Sequence, residues 1–284
     1  MTPLRKQMIE AMQMRGFSPR THQSYLYAVT KLASYYHRSP SLLSIDELQS
    51  FFRYLSLDRH LSGSSCRLYM SALQFLYLQV LEWDAFDVPF TFPKKKQRLP
   101  ELLTRAEVRC ILDSCSNPKH RTMLTTCYGC GLRASELMAI KVRHIDGERR
   151  LLRVEQGKGS KDRAVVLSEQ LLIHLRHYWQ RYHPHTWLFP SRRSDYALSI
   201  GTAQKVYQRA KGRAGITKRG GIHSMRHAYA THQLEAGLPV HVLQHQLGHK
   251  DIKSTLRYVH LVPNYQQDRE VWCDLIAGLE VDND

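Results

Sequence analysis

Nowhere in the 284 residues is there a run approaching the ~18 uncharged apolar side chains that a membrane-spanning helix needs. The opening MTPLRKQMIEAMQMRGF has a basic pair but lacks the apolar stretch of a secretion signal, so a cytoplasmic chain without a membrane is expected. Cysteine is sparse, at positions 66, 110, 115, 127, 130 and 273. In a leaderless chain these six read as reduced thiols. G-x-S-x-G is missing, which leaves an α/β-hydrolase without a foothold. So are G-x-x-x-x-G-K-[ST] and H-E-x-x-H, the P-loop and zinc-hydrolase signatures. No internal repeat or low-complexity tract occurs.

Negative charge is the other shortage. Asp and Glu number 25 against 41 Lys and Arg, a formal charge of +16 with a pI near 9.7. At 43% apolar and 23% charged residues, the composition is that of a packed protein rather than a disordered one. The basic excess holds in residues 1–98 (13 against 7) and again in 99–284 (28 against 18). A solubility charge is the plain alternative, but an excess in both parts points to a polyanion, most simply nucleic acid.

The chain divides by composition. Ser18-Pro19 caps a helix carrying Tyr25, Val29, Leu32 and Tyr36 at helical spacing. Ser44 with Glu47 forms a capping box, and Leu43 with Leu48 a staple, ahead of Phe51, Phe52 and Leu55. Ser64 or Ser65 opens a further helix with Leu68, Ala72, Leu76 and Val80 on one face. Residues 1–92 therefore read as a helical bundle. Pro93-Lys94-Lys95-Lys96-Gln97-Arg98-Leu99-Pro100 reads as a linker over 93–100, and its basic run as a strap along phosphates, although solvated charge or a nuclear address would look alike. Thr104 with Glu107, flanked by Leu103 and Val108, starts a second domain over 101–284. Leu152 and Val154, then Val165 and Leu167, form two short strands joined by Gly157-Lys158-Gly159-Ser160-Lys161, a hairpin. Trp187-Leu188-Phe189 is expected to add a third. Beyond Ile200 the pattern is helical again. The fold class is mainly α with a small antiparallel sheet.

Metal sites are poorly supported. His241, His245 and His249 fall at i, i+4 and i+8, but Gly248 should end the helix before the last of them. His223 and His227 enclose Ser224 where a zinc hydrolase has its glutamate. Cys127 and Cys130, with Cys110 and Cys115 at poor spacing, read as small packed residues. No metal and no cofactor are expected.

Arg133, Lys158, His223, Arg226, His249 and Tyr258 together could hold and cleave a phosphodiester. Arginine grips phosphate oxygens bidentately and stays charged, lysine can donate a proton, and tyrosine can act as a nucleophile. Alone, each has an ordinary reading: a surface arginine, a solvated hairpin lysine, one packed tyrosine among 15, with Tyr265 as the nearest competitor. In order, however, the blocks GLRASEL, GKGSKDR, HSMRHAYATH and LGHKDIKSTLRYVH, preceded by SPRTHQSY and PKKKQRLP, strongly resemble the tyrosine recombinases, the phage-integrase and Xer-like family. Met225 stands where that family usually has Leu, a volume-conserving change, and Cys130 where it often has Thr or Ser.

The resemblance implies an N-terminal helical, SAM-like core-binding domain and a mostly α catalytic domain, clamping a double-stranded DNA recombination site. It implies that Tyr258 attacks a phosphate to form a 3′-phosphotyrosyl link. Arg133 and Arg226 would hold the non-bridging oxygens, and Lys158 would protonate the leaving 5′ oxygen. His223 would assist proton transfer at the tyrosine, His249 would bond the phosphate, and Glu136 would fix a basic partner. Lys94, Lys95, Lys96 and Arg98 would bind DNA. A homotetramer on synapsed DNA, monomeric or weakly associated when free, is implied, with a last helix around Val271, Trp272, Leu275, Ile276 and Leu279 docking on a neighbour. The 65 residues from Lys158 to His223 favour a simple Xer-like or transposon-type enzyme over an integron integrase. A type IB topoisomerase or a catalytically silent DNA-binding regulator is the alternative.

Overall fold

A computed structural model describes residues 2–92, 101–155, 162–192 and 196–262. The chain separates into two compact units, residues 1–99 and 100–284.

Four helices build the first unit: α1 (Pro3–Met14), α2 (Pro19–Tyr36), α3 (Ile45–Leu57) and α4 (Gly63–Gln79). The N-caps are local and polar. Ser18 accepts from the Thr21 N–H, and Ser44 closes its capping box with Glu47. Helix α4 starts after Ser62, whose hydroxyl accepts from the Ser65 N–H, so the start expected at Ser64 or Ser65 is corrected to two or three residues earlier. Leu68, expected on the apolar face, points outward at 42% exposure, and Cys66, Tyr69, Ala72, Leu73, Leu76 and Tyr77 form the buried side. Their neighbours include Leu32, Leu48, Phe51 and Phe52. Two tyrosine hydroxyls that reach into this core are paired with backbone carbonyls. The Tyr77 hydroxyl donates to the Pro40 carbonyl at 2.7 Å, and that of Tyr36 to the Glu47 carbonyl at 2.6 Å.

The second unit runs α5 (Arg105–Asp113), α6 (Pro118–Gly129), α7 (Ala134–Met138), β1 (Ile145–Asp146), β2 (Leu151–Val154), β3 (Arg163–Val166), α8 (Glu169–Tyr182), α9 (Ile200–Arg213), α10 (His223–Glu235), α11 (Val240–Leu247) and α12 (Lys253–Val259). Thr104 and Glu107 close the expected capping box. The sheet is antiparallel in the order β1-β2-β3, with Leu152 opposite Val165 and Ile145 opposite Leu152. Its third strand is thus Ile145–Asp146 and not the Trp187 segment. Trp187 makes an isolated bridge with Lys141, while Leu188 and Phe189, each 1% exposed, fill the core. A short apolar run is compatible with strand or with buried loop, and periodicity cannot separate them.

Helix α10 is the axis of this unit. It packs against α5, α6, α11 and α12, and nine of its thirteen side chains are buried. Cys127 and Cys130 lie in the core beside it, where burial pushes both thiols up to about 12. That environment suits inert packing groups, not reactive ones. Among the described residues no helix is long and apolar enough to cross a membrane.

Candidate active site

The cluster forms where α7, β3, α10, α11 and α12 meet, and its centre is a carboxylate. Glu136 is 4% exposed. One of its oxygens accepts from the Arg133 backbone N–H at 2.9 Å, capping α7, and the other from the Arg133 guanidinium at 2.6 Å. Both oxygens also take Arg163 bidentately at 2.9 Å, and Arg226 stands 3.8 Å away. Burial by itself would raise the Glu136 pKa, but the Arg163 and Arg133 hydrogen bonds and the charge of Arg163 overcome it and hold the group at about 2. Three guanidiniums against one carboxylate leave a local excess of positive charge in a site shielded from water. Such an excess is costly unless an anion arrives.

Backbone carbonyls hold the arginines in place. Arg226, 2% exposed, donates to Gly131 at 2.6 Å and Leu247 at 2.7 Å. Arg133 donates to Gly248 at 3.2 Å, and Arg163 to Gln246 at 2.9 Å. The two glycines are there for geometry. Gly131 has φ +57° and any Cβ would overlap the Tyr229 ring, while Gly248 has φ +63° and a Cβ would crowd Arg163. Both therefore combine a left-handed backbone with a carbonyl aimed at a guanidinium. Gly248 also ends α11, which takes His249 off the stripe of His241 and His245 as expected. Desolvation first, then the neighbouring arginines, brings even Arg226 down to about 10. It remains a cation at neutral pH.

His249 is wedged into this frame. Its Nε2 lies 3.0 Å from an Arg226 nitrogen, which can only donate, so Nε2 is the acceptor. The proton then sits on Nδ1, directed to the Thr255 hydroxyl at 2.8 Å. Burial, reinforced by four guanidiniums, lowers this imidazole to about 3. The ring is therefore neutral, and an Nε2 donor to phosphate requires the other tautomer.

Tyr258 is 1% exposed and turned into the cluster. Its ring is stacked 6.3 Å from that of His249, at 9°, and Arg257 lies over it at 5.0 Å. Its hydroxyl meets two groups: His227 Nδ1 at 2.8 Å and the Arg257 guanidinium, which donates at 3.1 Å. His223 contacts His227 edge-to-face at 5.4 Å. Desolvation and nearby arginines lower its pKa too.

Of the sequence-chosen residues, Arg133, His223, Arg226, His249 and Tyr258 come together. Lys158, Lys94, Lys95, Lys96, Arg98 and the Val271–Leu279 segment lie outside the described residues. Arg163, Arg257 and His227, the last considered in the sequence only as half of a metal pair, join the cluster. The signal for His227 was present, because it follows His223 by one helical turn on α10. Arg163 stood inside the GKGSKDR block, but its partner is 27 residues away and no local period reveals it.

Buried guanidiniums around a phenol and imidazoles suit an anionic ligand such as a phosphoester. Comparison with known proteins resolves the class further. The model of the phage integrase family matches residues 101–264, and that of the phage integrase N-terminal SAM-like domain matches residues 4–85. A putative integrase/recombinase of Sinorhizobium fredii, y4qK, is 39% identical over 266 residues, covering 93% of this chain and 86% of that one. The tyrosine recombinase XerD of Yersinia pestis is 33% identical, over 91% and 93% of the two chains. The fold also matches that of a lambda integrase dimer bound to a COC′ core site, with TM-score 0.71 and 21% identity over 89% of this chain and 76% of that one. The chain belongs to the phage integrase family of tyrosine recombinases.

Proposed function

We infer that the chain is a site-specific DNA recombinase that cuts and rejoins strands through a 3′-phosphotyrosyl intermediate. The observation that carries this reading is the gathering of Arg133, Arg226, His249 and Tyr258 from four separate elements around an uncompensated positive charge. A phosphodiester supplies the missing anion. Arg133 is the most open of the three guanidiniums on Glu136, at 19%, and Arg226 the most rigidly held. Together they balance the charge that grows on the non-bridging oxygens in the transition state. Tyr258 attacks phosphorus, and Lys158 protonates the leaving 5′ oxygen. His223 serves proton transfer at the tyrosine. The link conserves the phosphodiester's energy, so rejoining draws on no nucleotide. Double-stranded DNA is the partner, a reading supported by the net charge of +16 and by the COC′ core site to which the solved lambda integrase is bound. Residues 1–92 serve as the core-binding domain, with Lys94, Lys95, Lys96 and Arg98 along phosphates. The working assembly is a homotetramer on two sites.

A labelled DNA site nicked near the scissile phosphate tests the chemistry. Wild-type protein should form an adduct that survives denaturant, and Tyr258→Phe and Arg133→Ala should bind the site without forming it. Binding with no adduct from the wild type would leave a DNA-binding regulator instead.

A further inference from the structure

We propose that His227 is the group that takes the Tyr258 proton as the phenol attacks, a role that rests on the phosphotyrosyl reading above and sharpens it. The Tyr258 hydroxyl can give its proton to only one group it touches, His227 Nδ1 at 2.8 Å. Its other neighbour, Arg257 at 3.1 Å, has no acceptor. It donates to the phenolic oxygen and so stabilises negative charge there as the proton leaves. His227 is half-buried on α10, and an Nδ1 acceptor requires its proton on Nε2.

The groups facing it are His223, one turn back on its own helix and edge-to-face at 5.4 Å, and Arg257 and Tyr258 from α12, with Arg226 the preceding residue. The charges among them, Arg257 and Arg226, are both positive. They add to burial in keeping His227 unprotonated at neutral pH, down to about 4, so its lone pair is available. His223 is exposed and its ring touches that of His227, so it can relay the proton out. The phenol thus sits between two imidazoles with different tasks. His249 stacks on its face and ties it to Arg226, whereas His227 meets its oxygen.

The step balances. The phenolic oxygen forms a bond to phosphorus, its proton passes to His227 Nδ1, and the bond from phosphorus to the 5′ oxygen breaks. That oxygen takes a proton from Lys158, and rejoining reverses each transfer.

Single-turnover cleavage of a nicked DNA site, followed from pH 6 to 9, separates this role from a structural one. His227→Ala should form adduct roughly 10²–10⁴-fold more slowly at pH 7. Without an acceptor at its oxygen the phenol must lose its proton to solvent base before it attacks. The variant's rate should therefore climb about tenfold per pH unit and close on the wild type. His227→Asn, whose amide oxygen can still accept the hydrogen bond, should place Tyr258 normally yet remain slow. A 5′-bridging phosphorothiolate, whose sulfur leaves without a proton, should rescue Lys158→Ala but not His227→Ala. Parallel pH profiles for variant and wild type, an undiminished rate in His227→Ala, or a pH-closing gap in His223→Ala in place of His227→Ala would each overturn the assignment. An adduct that persists in Tyr258→Phe would instead show that the nucleophile itself is misidentified.

Discussion

The two units bury different things. Among the described residues, every side chain that is both buried and polar or charged (Thr126, Glu136, His144, Ser224, Arg226, Thr231, His232 and Thr255) belongs to the second unit. The first closes over Leu32, Phe51, Phe52, Leu73 and their neighbours and hides no charge. Its stability comes from apolar area removed from water, roughly 25 cal/mol per Å². The second accepts buried ions whose desolvation is repaid only by close pairing. The lesson is that the helical bundle is built to hold, while the other unit spends part of its stability on keeping a site charged and dry.

The largest expected effect breaks the pairing. Glu136→Ala strips the carboxylate from Arg133 and Arg163 and leaves buried cations unpaired, so it should destabilise the second unit by about 3–5 kcal/mol. Denaturant unfolding followed by hydrogen exchange would register the loss in α7 and α10 to α12, with the first unit unchanged. In the first unit the counterpart is a cavity. Leu32→Ala should cost about 2–5 kcal/mol, read in the same experiment as lost protection of α2 and α4 alone.

Acid should divide the units further. His227 and His249 are held at about 4 and 3, below the ~6.5 of an unfolded imidazole. The unfolded chain therefore binds more protons between those values, and stability falls as the pH drops through ~6.5 toward 4. Glu136, at about 2, adds a second loss below ~4.5. Hydrogen exchange at pH 7 and pH 5 should show α10 to α12 weakening while α2 to α4, whose described residues include no fully buried histidine or carboxylate, keep their protection. Equal weakening of both units would break the contrast.

The smallest effects should be alike in the two units. Ser44→Ala and Thr104→Ala each remove a capping box and should each cost about 0.5–2 kcal/mol, measured as a shift in unfolding midpoint. These caps were plain in the sequence because capping is a matter of residues three apart. So were the β2 and β3 hairpin and the helix end at Gly248, which depend on short-range pattern and backbone freedom. Helix α1 was not read, since Met8 and Met12 are its only buried side chains and make too thin a stripe. The strand at Ile145–Asp146 was passed over for Trp187-Leu188-Phe189, where burial in the core imitates a strand. At the site, the ordered blocks drew attention to Arg133, His223, Arg226, His249 and Tyr258. They did not disclose that Arg163 shares Glu136 with Arg133, or that the phenol meets His227 rather than His223. Those facts depend on distances between elements remote in the chain.

The most direct measurement is to trap protein on a nicked duplex, digest it, and find by mass spectrometry which residue carries the DNA. The account predicts a phosphodiester on the peptide containing Tyr258. Attachment at Tyr265, or at any other residue, would contradict it.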